Sequence, residues 1–132
     1  MKLDVRPATV NDIESFVHWY AAIGEPFPGV RKFPAGSTLV CDLDGVPAIT
    51  VVVVITNIDV AWLECLIGNP VLKGPGRRLA MKTLVDEACR LAREMNFTDI
   101  FCMAPNEKLK AYYEKMGFRV TAQNIFTLIK GL

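Results

Sequence analysis

Three groups of residues in this chain have side chains suited to chemistry. The stretch VLKGPGRRLAMKTL, Val71 to Leu84, sets Gly74 and Gly76 one residue apart among Lys73, Arg77, Arg78 and Lys82. Between a strand and a helix, such a stretch can hold an anion. The first-turn N–H groups lack intrahelical partners, the helix dipole favours negative charge, and glycine admits a ligand close to the backbone. The same residues also suit a solvated helix start behind a tight turn, and the glycine pair alone leaves both readings open. Glu64, inside the apolar run WLECLIG, is a carboxylate among apolar neighbours, a setting that suits a general base. It suits a solvated sheet face or an ion pair equally well. Tyr113, in NEKLKAYYEKMGF, carries a phenol whose ordinary pKa of about 10 suits a general acid. Its alternative is a core aromatic on an amphipathic helix, beside Leu109, Tyr112 and Met116.

Other chemistries fit poorly. The four cysteines, Cys41, Cys65, Cys89 and Cys102, form no CxxC pair, and His18 is the only histidine, which argues against a zinc site; no metal is expected. A Walker A loop would need GxxxxGK[ST], which is absent. A dinucleotide fingerprint would need a third glycine where Leu79 stands. The formal net charge of +1 provides no basic field for nucleic acid. The longest apolar run, around VPAITVVVVI, is too short to span a bilayer and reads as a buried strand. The N-terminal stretch MKLDVRPATVND is polar, unlike a signal peptide, so the expected compartment is the reducing cytoplasm, where scattered thiols behave as small core residues.

The elements that must position these residues are legible in order. With 132 residues and 52% hydrophobic content, the chain fits one domain, 1–132, with a real core. LDVRPAT opens with a short strand that Pro7 ends. Thr9 or Asn11 can cap a helix over NDIESFVHWYAAI, with Ile13, Phe16, Val17 and Tyr20 on its apolar face and His18 as partly buried structure. GEPFPGVRKFPAG holds three prolines and three glycines and must be an irregular loop. STLVCDL, VPAITVVVVITN and VAWLECLIG then read as three strands joined by short turns. Asp44 and Gly45 form the first of these turns, giving an antiparallel meander. From about Gly76 to Asn96 the spacing of Ala80, Leu84, Ala88, Leu91 and Met95 predicts a long amphipathic helix. TDIFCMA follows as a strand, so strand, helix and strand suggest a right-handed crossover and a parallel pair. NEKLKAYYEKM is a second helix, stopped at Gly117. FRVTA and NIFTLIK supply a last pair of strands. The whole is an α/β mixture around one mixed sheet. In the third strand, Trp62, Glu64, Leu66 and Gly68 would share one face, and Gly68 suits a bulge that would splay this strand from TDIFCMA.

With these elements in order, the chain resembles the GNAT-type N-acetyltransferases over nearly its whole length. The family's acyl-CoA loop, [QR]-x-x-G-x-[GA] after a strand and before the long helix, is matched by Lys73 at the basic position and by Gly74 and Gly76, with Pro70 three residues upstream. A second hallmark, N-x6-Y-x3-G-F, is matched by Asn106, Tyr113, Gly117 and Phe118. VRPATVNDI is similar to the family's first strand and helix start. Two positions depart from the pattern. Arg78 stands where the family prefers Gly or Ala, and Pro75 removes one N–H from the loop.

The resemblance implies a GNAT-like acyl-CoA N-acyltransferase fold, with helices on both faces of the sheet. It also implies acetyl transfer from acetyl-CoA to a primary amine by direct attack. Under it, Lys73, Gly74, Gly76, Arg77, Arg78 and Leu79 would hold the pyrophosphate. Leu66 and Gly68 would pair with the pantetheine arm, and Asn106 would contact the cofactor, cap its helix, or do both. Glu64 would be the base and Tyr113 the acid. Phe27, Phe33 and Trp19 suggest an apolar wall for the acceptor, and Glu25 could meet a cationic amine. The acceptor is otherwise unread, and edge strands such as NIFTLIK leave a homodimer open. Two other functions compete: a module of this fold that binds an acyl-CoA with weak or no catalysis, which Arg78 and Pro75 would favour, and a small domain acting through protein contacts alone.

Overall fold

A computed structural model describes residues 1–132. Strand β1 (Leu3–Pro7) leads into helix α1 (Val10–Ala22), and a single 3-10 turn, Val30–Lys32, interrupts the proline-rich loop. Strands β2 (Thr38–Leu43), β3 (Val46–Ile55) and β4 (Val60–Gly68) form the expected meander. Helix α2 (Pro75–Glu94), strand β5 (Asp99–Phe101) and helix α3 (Glu107–Lys115) complete the regular structure. The sheet runs β1-β2-β3-β4-β5, antiparallel except for the parallel β4–β5 pair. The turn between β2 and β3 works as read. Asp44 and Gly45 both take left-handed backbone (φ 51° and 80°), which matches the twist of a two-residue hairpin.

Each face of the sheet carries a helix. On one, α2 lays Ala80, Met81, Leu84, Val85, Ala88 and Ala92 over Leu39, Cys41, Ile49, Val51, Val53, Ala61 and Leu63, and Tyr113 of α3 joins this core. On the other, Phe16, Trp19 and Tyr20 of α1 meet Phe33, Val40, Val52 and Ile67. The α1 stripe differs from the expectation: Trp19 is buried, whereas Val17 and His18 face solvent. The turn of the helix aims Trp19 at Phe16 (ring centroids 5.3 Å apart), and Phe33 from the loop closes the same cluster.

Near the β1 margin the two layers are held by charge. Arg6 forks onto Asp12 of α1 (2.7 and 2.9 Å) and onto Asp42 of β2 (2.8 and 3.1 Å). Asp12 also accepts the Thr9 N–H at 2.6 Å, which caps the helix start. Burial pushes the Asp12 carboxyl up, but the Arg6 and Thr9 hydrogen bonds and the Arg6 charge outweigh it and hold the group below its ordinary value.

The expected closing pair of strands does not form. Residues 119–132 adopt no helix or strand, and Ile125, Phe126, Leu128 and Ile129 are exposed. NIFTLIK has strand propensity, but it is apolar on both faces and packs against nothing that would bury either. The outer edge of β5 therefore stays free.

Candidate active site

Strand β4 is the element on which the site depends, and it contains a fault. Thr50 pairs with Ile67, but Val52 pairs with Glu64, so two steps on β3 face three steps on β4. The extra residue lies at Cys65–Leu66, and Cys65 takes left-handed backbone (φ 53°), a costly conformation for a residue with a side chain. The bulge is thus not at Gly68, as its residue type suggested, but three residues earlier. The shift also breaks the expected common face. Glu64 pairs with Val52 and, like Trp62, faces α1; beyond the bulge Leu66 packs into the α2 core and Gly68 pairs with Ile49 on that side.

Pairing between β4 and β5 ends just before the bulge. It covers Val60–Asp99, Ala61–Ile100 and Trp62–Phe101, where the two aromatic rings stack at 5.2 Å, and goes no further. Leu63 to Gly68 therefore present an edge with no strand on the β5 side. The strands part there, and the backbone of β4 is left able to pair with an extended, amide-bearing ligand.

Beyond this edge the chain turns through Asn69, whose side-chain oxygen accepts the Val71 N–H (3.1 Å) and whose amide donates to Pro47 O (3.0 Å). Gly74 caps α2 with φ 83°, and Pro75 occupies the first helical position, where a missing N–H costs least. The N–H groups of Lys73, Gly74, Gly76 and Arg77 donate to no protein acceptor, which is what an anion at a helix start needs. The glycines have different uses. Gly74 supplies the backbone angle. A Cβ on Gly76 would meet Leu43 Cδ2 at 3.0 Å, so its bareness lets the helix start settle on β2. Lys73 is exposed beside them.

The two arginines part company. Arg78 and Leu79 line a groove of ≈330 Å³ between the start of α2 and α3, whose other wall is Tyr112, Lys115 and Met116. Arg77 instead folds back: its Nη1 donates to Leu72 O at 3.3 Å, and its guanidinium lies where a Cβ on Gly68 would be, 2.3 Å from Nη2. Gly68 is bare because Arg77 lies across it. Tyr112 and Lys115, three residues apart on α3, reach this groove from one face of the helix.

Tyr113 and Glu64 lie on opposite faces at the point where the strands separate. Tyr113 is buried, its ring against Phe118 (5.0 Å) and its hydroxyl at the Cys102 thiol, immediately after β5. Burial, and then the neighbouring thiol, hold the phenol far above its ordinary range, so it keeps its proton at neutral pH. Burial likewise pushes the Cys102 thiol up to about 11. Glu64 is half-buried on the α1 side. Next to it, Cys65 meets the Tyr20 hydroxyl; burial raises this thiol, so neither cysteine is an activated nucleophile. Asn106 caps α3, its side-chain oxygen accepting the Leu109 N–H at 2.9 Å. No group of three His, Cys, Asp or Glu side chains is placed to hold a metal ion, and no helix is long and apolar enough to cross a membrane.

No protein-family model matches the sequence, and no curated protein matches it. Solved structures do match the fold. The ribosomal-protein-S18-alanine N-acetyltransferase of Escherichia coli superposes with a TM-score of 0.73 at 15% identity, over 92% of this chain and 80% of that one. An acetyltransferase of Trypanosoma brucei gives 0.70 at 18% identity, over 97% and 100%. AAC(6')-Iy, in complex with the bisubstrate analogue CoA-S-monomethyl-acetylneamine, gives 0.68 at 15% identity, over 99% and 100%.

Proposed function

From a chain with the fold of the GNAT-type N-acetyltransferases, we propose an enzyme that moves an acetyl group from acetyl-CoA to a primary amine by direct attack. One observation carries the reading: the unpaired β4 edge, Leu63 to Gly68, runs straight into a helix start whose amides are free, with a carboxylate on one face of the gap and a buried phenol on the other. An extended pantetheine chain, rich in amides, suits the edge, and its pyrophosphate suits the free N–H groups of Lys73, Gly74, Gly76 and Arg77, with Arg78 and Lys115 nearby.

The division of faces gives the chemistry a direction. The amine arrives from the α1 side, where Glu64, or a water it holds, accepts a proton and leaves a nitrogen lone pair. That nitrogen attacks the thioester carbonyl carbon, the C–N bond forms, and the C–S bond breaks. The thiolate departs toward the α2 side and takes the Tyr113 proton, and the acylated nitrogen gives up its second proton, through water, to restore the phenol. Burial makes Tyr113 a weak acid, but a thiolate in the same dry gap is destabilised by the same cause, so the two stay matched. The bulge at Cys65–Leu66 makes this possible by turning Glu64 and Leu66 to opposite faces.

Arg77 lying across Gly68, together with Pro75 in the loop, favours a second reading: a module of this fold that binds an acyl-CoA without transfer. Release of free thiol from acetyl-CoA, followed across a panel of amines, separates the two. Amine-dependent release supports the enzyme. Saturable acetyl-CoA binding with no release by any amine supports the module.

A further inference from the structure

A second groove, of ≈360 Å³, lies between the proline-rich loop and the end of β3, and shares no residue with those assigned to the acyl donor. Its walls are Arg31, Lys32, Pro34 and Ser37 of the loop, and its floor is β3 from Val52 to Ile55. The floor places it beside the reacting groups: Val52 pairs directly with Glu64 and Val54 with Trp62, across one strand spacing of about 4.8 Å. Lys32 also lies close enough to Cys65, the residue after Glu64, for its charge to favour the thiolate there.

Both cations are exposed, and neither takes part in an ion pair. The backbone that carries them is nonetheless held in place. The Lys32 N–H donates to Gly29 O and the Phe33 N–H to Val30 O, closing the 3-10 turn. Phe33 is driven into the aromatic core, stacked on Phe27 at 5.6 Å, and Thr38 ties Pro34 O through its hydroxyl at 2.8 Å. A pair of unneutralised cations on an anchored turn, next to a carboxylate on the neighbouring strand, forms a site with a positive and a negative end. An amine that also carries an anion would match both ends.

Resting on the acetyl-transfer reading, we propose that the acceptor is a small amine bearing an anionic group, a carboxylate or a phosphate, with Arg31 and Lys32 holding that group while the amine faces Glu64. Amines of the same size without the anionic group lack the second anchor and bind more weakly. A charge-assisted contact of this kind is worth about tenfold in affinity.

The test uses the full chain, acetyl-CoA and two matched pairs: 4-aminobutyrate against butylamine, and O-phosphoethanolamine against ethanolamine. At least one anion-bearing member is expected to exceed its anion-free partner about tenfold in kcat/KM, and the pair that does so identifies carboxylate or phosphate as the anion. In Lys32→Ala that ratio falls about tenfold through KM with kcat retained, and Lys32→Glu inverts it. Equal use of both members of both pairs, or variants that leave the ratio unchanged, overturns the inference while leaving acetyl transfer intact. If no amine releases thiol, the reaction fails as a reading, and an NMR titration with O-phosphoethanolamine and 4-aminobutyrate on the CoA-saturated protein decides the groove. Saturable shifts at 31–37 and 52–55 that vanish in Lys32→Ala sustain an anion site there, and their absence ends the proposal.

Discussion

The two margins of the sheet are built on opposite terms. At the β1 side, strands pair over five positions, and Arg6 forks onto a buried carboxylate of α1 and another on β2. At the β5 side, pairing lasts three residues, and the chain after α3 stays irregular with its apolar side chains in solvent. One margin closes the fold, and the other leaves open the backbone that a ligand would close. A sheet of this kind stores its stability away from the strand gap, so the gap can be strained and incompletely paired without unfolding the rest.

If the margins are so divided, variants at each should read out on different observables. The largest effect belongs to the gap. Glu64→Gln and Tyr113→Phe are each expected to lower kcat about 10²- to 10⁴-fold, while Glu64→Gln leaves the urea midpoint nearly unchanged and Tyr113→Phe costs about 1 kcal/mol for its hydroxyl. Unchanged kcat in both would remove the assigned roles.

At the closed margin the reverse holds. Asp12→Ala is expected to cost about 2–3 kcal/mol by urea unfolding, less than a fully buried pair because Arg6 is partly solvated and keeps Asp42. Its pH signature has a definite sign. The folded-state pKa of Asp12 is depressed, so its contribution is fully present above the unfolded value of about 3.9 and is lost as pH falls through the folded value. Stability measured between pH 5 and pH 2 should therefore fall less steeply in Asp12→Asn than in the parent chain.

Gly68→Ala probes the junction. The new Cβ must displace the Arg77 guanidinium, a flexible group, so stability should drop by no more than about 1 kcal/mol. Acetyl-CoA affinity should shift more than stability does. The smallest effect is expected from removing residues 124–132. The segment packs on nothing, so the unfolding free energy should stay within about 0.5 kcal/mol. A large loss would show that this segment is structural, and the two margins would no longer differ as described.

Much of this was legible in the residues. The Asp44 and Gly45 turn, the α2 stripe, the span of β4 and the cap at Asn106 each rest on local rules that the tertiary structure did not override. A bulge in β4 was expected, but its position was not legible, because an inserted residue leaves no mark in a nine-residue apolar run. The residue type that suggested a bulge, Gly68, is instead bare for Arg77. Asp12 reads as an ordinary helix-start carboxylate, and the fork from Arg6 on β1 is what lets it be buried. NIFTLIK has the propensity of a strand, but a strand also needs a paired edge, and none is supplied to it. The first two hallmark glycines are present as the family resemblance expects, yet Gly76 is needed for its contact with Leu43.

In the proposed enzyme the unpaired edge of β4 and the start of α2 together hold the acyl-CoA. Backbone amide NMR with added acetyl-CoA addresses this most directly. Saturable shifts concentrated at 63–68 and 73–79, with slowed amide exchange along both, are the predicted result. Saturating acetyl-CoA that leaves these amides unmoved, or that shifts residues elsewhere in their place, would contradict it.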